Sequence, residues 1–418
     1  ACVVPARFYE LGEVKVRALT IGISSTLYNS NFVGSYMAML LPILISLILV
    51  VKHTYLKISI GLLICLAFTD LLWSGSRSGI AGFIVGAGIL LIMLRRMIMR
   101  HGKKTFIIVT ASIAVFLLLG AAGMGAGVDR AVALAEEMGR LFAGETGANY
   151  LLDVFTKGDE VSIVREQIPL RIIRKEGKLI FLDKDDRPLP QLRSARGAST
   201  IVTFADESYA DYVFELNGDN STITLDKPRY GNDPLRFQAT AEGMKFLDAS
   251  GRLTTLGPVK KWDVRGKEQL GSGRLFIWSR TIPLLRDTIV IGKGPGTFAA
   301  YFPQQDYIGK MLATGNMMRL YDKPHNLFID IAFSTGFISL IAFLAIVLTY
   351  CFSSLGIYFR STVDDLFSLV GLGVFAGIAG YLISSLANDS AVTVAPVFWV
   401  LLGLGIRINI LVSKQPPE

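Results

Sequence analysis

Charge, histidine and cysteine are all scarce in this chain of 418 residues. Charged residues make up 18% of it against 51% hydrophobic ones, which is less charge than the roughly 25% of a soluble domain and argues against a wholly soluble protein. The three cysteines, Cys2, Cys65 and Cys351, offer no disulfide framework and no metal-ligand spacing. The three histidines, His53, His101 and His325, are too few and too scattered for an Asp/His metal cluster, so no metal ion and no cofactor is expected. An initiator Met is missing, and the first residues lack the basic-then-apolar order of a signal peptide. We therefore expect a fragment whose earlier membrane spans are absent; a processed terminus is the alternative.

What is present is apolar sequence gathered into runs long enough to cross ~30 Å of hydrocarbon. They fall at 33–51, 57–73, 79–94, 105–124, 327–350, 366–386 and 392–412, with a stretch of soluble character between 128 and 325. The fold class expected is a polytopic α-helical membrane protein of about seven spans in this chain, with a large extracytoplasmic insert containing a small β-rich domain. Short loops orient spans by their Lys and Arg content. Arg95, Arg96, Arg100, Lys103 and Lys104 mark the loop after the third span as cytoplasmic, and Lys52, Lys57, Arg360 and Lys414 agree with it. The segment 1–32, the turns 74–78 and 387–391 and the whole insert then lie on the outer face of the membrane, and the C-terminus inside. The parts expected are an N-terminal membrane part (1–127), a helical segment (128–154), a β-rich insert (155–262), amphipathic helices with a candidate catalytic loop (263–326) and a C-terminal membrane part (327–418). The net charge of +8 is concentrated in the cytoplasmic loops, and nothing points to a nucleic acid.

Within the insert, Ser199–Phe204 and Ser221–Leu225 are rich in β-branched residues and alternate, and Asn217-Gly218-Asp219-Asn220 is a good hairpin turn between strands. Glu176-Gly177 leading to Phe181-Leu182-Asp183 resembles Glu242-Gly243 leading to Phe246-Leu247-Asp248, as a repeated hairpin would. Asp183-Lys184-Asp185-Asp186 lacks the glycine and the closing glutamate of a calcium loop and reads as a polar turn. The flanking Ala131–Leu141 and the stretch 270–325 read as amphipathic helices near a membrane surface.

His53 and His101 lie in basic loops and read as solvated. His325 is the one outer histidine, at the mouth of the span opening Asn326-Leu327-Phe328, and an imidazole there can take a proton from an attacking hydroxyl. A helix-capping histidine would look the same. Arg274 and Trp278 stand one helical turn apart, with Arg280 on another face. Gly292-Lys293-Gly294-Pro295-Gly296-Thr297-Phe298 fits a close approach of backbone amides to a ligand, or a plain turn; its spacing is neither a Walker A loop nor a dinucleotide fingerprint. Arg77, in Ser76-Arg77-Ser78-Gly79, can snorkel or can fork two hydrogen bonds onto a phosphate. Tyr28-Asn29-Ser30-Asn31-Phe32 suits sugar binding or a helix cap.

These pieces, in this order and topology, resemble the O-antigen ligase and polymerase superfamily of bacterial membrane glycosyltransferases. The matching elements are Asn29-Ser30-Asn31-Phe32 with Tyr36 and Pro42, then Ser76-Arg77-Ser78-Gly79, Arg274 with Trp278, the Gly292–Phe298 stretch, His325-Asn326 and Gly336; they cover most of 20–127 and 270–412. The resemblance implies metal-independent transfer of a glycan from an undecaprenyl-diphosphate carrier to an acceptor hydroxyl on a glycan, lipid or protein, for lipopolysaccharide or another surface polysaccharide. It further implies that Arg77 and Arg274 hold the diphosphate and that His325 orients or deprotonates the acceptor. Arg280 and Lys293 are further diphosphate candidates, and Asn31, Trp278 and Asn326 are substrate-binding candidates. The β insert is not a core part of that family. If it is an acceptor module, deleting 155–262 should change acceptor choice more than carrier binding. A polymerase of the same superfamily, a transporter of lipid-linked glycans and a ligand-binding sensor remain as rivals. Few polar residues lie at mid-membrane depth to serve a coupled transporter, and seven spans exceed what anchoring needs.

Overall fold

A computed structural model describes residues 27, 29–100, 151–165, 168–218, 221–225, 234–264, 266–360 and 365–414. The expected span at 105–124, the helix at Ala131–Leu141, His101 and Tyr28 lie outside the described residues. The chain divides into two compact units: one formed by 1–135, 290–292 and 325–418, the other by 136–289 and 293–324.

Among the described residues, the first unit has six helices long and apolar enough to cross a membrane. They are α1 (Ser30–Val50), α2 (Thr54–Ser74), α3 (Arg77–Arg100) and, after the second unit, the helices Phe337–Arg360, Leu366–Ser384 and Ala395–Ser413. Asn29 caps α1, its side-chain oxygen accepting from the Asn31 amide at 2.8 Å. Gly75 ends α2 in the left-handed region at φ 64°, which turns the chain into α3.

Small residues make the tightest crossings, as expected where lipid gives no hydrophobic drive between helices. A Cβ at Gly82 would stand 2.2 Å from the Gly380 carbonyl oxygen, and one at Gly377 2.3 Å from that of Met39. Helix 366–384 is accordingly the most enclosed of the six. Apolar side chains such as Leu62, Leu63 and Leu66 of α2 face outward and are exposed, as lipid-facing groups are.

One expected span is corrected. The apolar run at 327–350 is not one helix: Leu327–Ser334 is a short helix of its own, and the span runs Phe337–Arg360. Gly336 causes the break. It sits at φ 105°, and a Cβ there would stand 2.6 Å from the Val290 carbonyl oxygen. His325 is therefore twelve residues before the span rather than at its mouth.

Among the described residues of the second unit, eleven antiparallel strands run from Leu151 to Thr254 as a meander, starting four residues earlier than the expected insert. Four form one sheet in chain order: β1 (Leu151–Lys157), β2 (Glu160–Arg165), β3 (Leu170–Lys175) and β4 (Lys178–Leu182). The other seven, β5 (Gln191–Arg196) to β11 (Leu253–Thr254), form the second, also in chain order. The inward positions of both sheets share one apolar core, including Val161, Ile163, Phe181, Phe214, Phe237 and Phe246. The ends of the meander meet: the Thr156 amide donates to the Leu256 carbonyl at 2.9 Å, and the Leu256 amide donates to Thr156 Oγ1 at 2.8 Å.

The repeated hairpin is present. After each hairpin an aspartate closes the same turn: Asp183 Oδ1 accepts from the amides of Asp185 and Arg187, and Asp248 Oδ1 from those of Ser250 and Arg252. Asp186 and Gly251 hold the equivalent left-handed positions. The Asp183 carboxylate thus organises its own turn, as expected of a polar loop.

Downstream come α4 (Arg274–Thr281), a 3₁₀ segment (Ile282–Thr288), α5 (Phe298–Tyr301) and α6 (Tyr307–Thr314). Ile308, Met311 and Leu312 of α6, with Met317, enter the core of the β strands. The helices Leu327–Ser334, Phe337–Arg360, Leu366–Ser384 and Ala395–Ser413 of the first unit are α7 to α10.

Candidate functional site

In the first unit, His325 stands just before α7 with φ 51°, a conformation that non-glycine residues rarely adopt and that marks functional sites more often than chance. Its Nδ1 lies 2.6 Å from Asp389 Oδ2. The imidazole side chain is 35% exposed and the carboxylate 3%. Asp389 Oδ1 is buried with no hydrogen-bond partner among the described residues, so the carboxylate's one described bond goes to the ring. A buried carboxylate on Nδ1 sets the tautomer and leaves Nε2 as the nitrogen able to exchange a proton.

Asn326 fixes the backbone beside it. Its Oδ1 accepts from the amides of Phe328 and Ile329, both at 3.0 Å, and its Nδ2 donates to the Leu386 carbonyl at 2.7 Å. Asn326, expected to bind substrate, is buried, and both ends of its amide cap α7 and tie it to the turn after α9. Arg77 is the first residue of α3 and is exposed. Asn31 lies in the first turn of α1, half-buried, with its carbonyl accepting from Ser35 Oγ at 3.0 Å.

In the second unit, Gly271, Ser272 and Gly273 all have positive φ and lead into α4. Arg274, its first residue, is half-buried and donates from Nη1 to the Gly271 carbonyl at 2.9 Å. One turn on, Trp278 Nε1 donates to the carbonyl of Pro324, the residue preceding His325 in the chain, at 2.9 Å.

Arg280, a further diphosphate candidate, is enclosed by protein. It is 1% exposed, its Nε donates to Asp306 Oδ2 at 2.9 Å, its Nη1 to Ser279 Oγ at 2.8 Å, and its guanidinium stacks on Phe276. A cation enclosed in this way joins α4 to α6. Lys310, one turn along α6, is also buried, and burial pulls its ammonium below the usual lysine range against the opposing charge of Asp306. Lys293 is half-buried with Nζ 5.2 Å from the Tyr301 ring centroid. Its glycine-rich loop is a turn: Thr297 Oγ1 donates to the carbonyls of Lys293 and Gly294.

The candidates are thus divided. Arg77, Asn31, His325 and Asn326 belong to the first unit, and Arg274, Trp278, Arg280 and Lys293 to the second. Asp389 is the functional group that sequence reasoning missed. The signal for it was an acid in the short turn between the last two spans, on the side expected to hold His325.

Fold and site together define a polytopic membrane protein with a buried-aspartate histidine dyad close to its spans and a β-rich region continuous with a helical loop segment. Residues 235–344 match a family described as O-antigen ligase, which supports the resemblance to the O-antigen ligase superfamily. At a coarse level the match supports an enzyme that transfers lipid-linked glycan at a membrane. It starts in β9 (Leu235–Thr240), inside the β strands, and ends in α8. It takes in Arg274, Trp278, Arg280, Lys293, His325 and Asn326, while Asn31, Arg77 and Asp389 lie outside it. No curated protein and no solved structure matches the chain.

Proposed function

We propose that the protein transfers a glycan from an undecaprenyl-diphosphate carrier to an acceptor hydroxyl, at the outer face of the cytoplasmic membrane. The observation that carries this reading is the His325–Asp389 pair, a half-exposed imidazole anchored at Nδ1 by a buried carboxylate. His325 Nε2 takes the acceptor's proton as its oxygen bonds to the anomeric carbon; the bond from that carbon to the diphosphate oxygen breaks, and the anomeric configuration inverts. Asp389 holds the ring and offsets the imidazolium charge. Arg77 and Arg274 bind the diphosphate and stabilise the charge that grows on it as it leaves, with Lys293 as a further cation and with Asn31 and Trp278 against the sugars. Arginine clamps of this kind need no metal ion.

The sidedness rests on the basic ends of the spans: Lys52, Lys57, Arg95, Arg360 and Lys414 share one side when the seven spans expected from the sequence alternate. Glycan, lipid and protein acceptors all present the same hydroxyl, so the dyad serves a ligase and a polymerase equally.

The test is transfer from a lipid-diphosphate glycan by the purified full-length protein in vesicles. His325→Ala and Arg274→Ala are each expected to abolish transfer while the protein still inserts, and chelation with EDTA is expected to leave the wild-type rate unchanged. Undiminished transfer in both variants removes the site; loss of activity with EDTA removes the metal-free mechanism.

A further inference from the structure

One side chain links three of the motifs in the first unit. Asn388, 3% exposed, precedes Asp389 in the turn after α9. Its Nδ2 lies 2.8 Å from Ser35 Oγ on α1, 2.8 Å from Ser78 Oγ on α3 and 3.2 Å from Ser384 Oγ on α9. Ser35 and Ser384 Oγ are themselves 2.7 Å apart, and Ser35 Oγ donates to the Asn31 carbonyl. An amide nitrogen carries two hydrogens, so three acceptors in reach make a shared network in which each hydroxyl's rotation depends on the others.

The helices meet closely at this point. A Cβ on Gly79 would stand 2.6 Å from the Gly34 backbone, and one on Gly34 2.3 Å from Ser76 Cβ. Ser76 Oγ in turn accepts from the Gly79 amide at 3.2 Å and lies 3.2 Å from Ser78 Oγ. Arg77 is the residue between these two serines in the chain. Asn388 and Asp389 are consecutive: the first is fixed into this cluster, and the second bonds His325.

Resting on the catalytic reading above, we infer that Asn388 is a positioning residue that sets the Arg77-bearing turn and the Asp389-bearing turn in one register through the hydroxyls of Ser35, Ser78 and Ser384. It touches neither substrate nor reacting atoms. Polar side chains that hydrogen-bond across helices in lipid hold geometry rather than adding much stability. A displacement of about 1 Å at a reacting group costs on the order of 10²-fold in rate.

The experiment is a double-mutant cycle on the full chain in vesicles, with donor KM and kcat measured separately. Asn388→Ala is expected to raise the donor KM and lower kcat, with a combined loss of about 10²-fold in kcat/KM. Its kcat penalty is expected to vanish in an Asp389→Asn background and its KM penalty in an Arg77→Lys background, since coupled residues are not additive. Ser78→Ala, a smaller change, is expected to reproduce the KM effect, and Ser78→Thr, which keeps the hydroxyl, to restore it. A simple loss of folded protein would lower kcat alone and add in full to both backgrounds; either result overturns the inference, as does a change in only one of the two constants. If His325→Ala leaves transfer intact, the catalytic reading itself falls, whatever Asn388 does.

Discussion

His325 and Asp389, 64 residues apart in sequence, meet at 2.6 Å between Nδ1 and Oδ2, with one member half-exposed and the other buried. Replacing the carboxylate with its isosteric amide is expected to lower kcat by on the order of 10²–10⁴-fold, because the ring loses both its fixed tautomer and the charge that offsets imidazolium. Steady-state transfer by Asp389→Asn measures this. A rate within threefold of wild type would show that the dyad is not the proton-handling pair.

Arg280 and Asp306 form a buried ion pair, and breaking one side of such a pair is expected to cost about 3–5 kcal/mol. Arg280→Ala should therefore lower the thermal unfolding midpoint of the detergent-solubilised protein. Asp306 also caps α6 through the Gly309 amide at 2.9 Å. Arg280→Met combined with Asp306→Asn keeps a cap and removes the orphaned charge, so the double variant is expected to recover much of the loss. A variant that unfolds normally but has a raised donor KM would instead return Arg280 to the diphosphate.

Binding an acceptor polymer was one reading of the β insert, whose role the sequence left open; on that reading its loss changes acceptor choice more than carrier binding. The shared core changes that expectation. Removing residues 151–254 uncovers Ile308, Met311, Leu312 and Met317, each worth about 1.5–3 kcal/mol of apolar burial. The deletion is expected to destabilise α6 and, through Asp306, α4 with it. Limited proteolysis should then cut within 274–314. Resistance there, with acceptor choice alone altered, would restore the modular reading.

Glu160 accepts from Arg171 Nε and Nη2 at 2.7 and 2.8 Å, and this pairing lowers its carboxyl to about 2 from an ordinary 4.5. A carboxyl depressed by folding contributes stability that is complete above its ordinary value and is lost as the pH falls from about 4.5 towards 2. Both side chains are partly solvated, so the contribution is modest. Hydrogen exchange over β2 and β3, corrected for intrinsic rates, is expected to speed up on acidification across that window in wild type and much less so in Glu160→Gln. Equal acid sensitivity in both would show that the pair does not govern it.

What the sequence disclosed depended on how local the cause was. The hairpin repeat was legible because Asp183 and Asp248 close turns with amides two and four residues on. The apolar spans were legible because a membrane asks for length and composition alone. The break at Gly336 was not, since 327–350 is apolar throughout and only the approach of Val290, 46 residues earlier, forbids a continuous helix. Arg280 read as a further diphosphate candidate because its partner Asp306 lies 26 residues away and its burial under Phe276 belongs to packing. For the same reason, Asp389 was not singled out: its partner His325 lies 64 residues away. His325 was singled out because it is the one histidine expected on its side, whereas the carboxylate that bonds it was not.

The paired bonds between Thr156 and Leu256 bring the two ends of the meander side by side after 100 residues. A polypeptide excursion that returns to its point of departure places no tension on the segments it interrupts. Its length can therefore vary between relatives by whole hairpins, with each added pair of strands lengthening the detour and leaving both endpoints where they are.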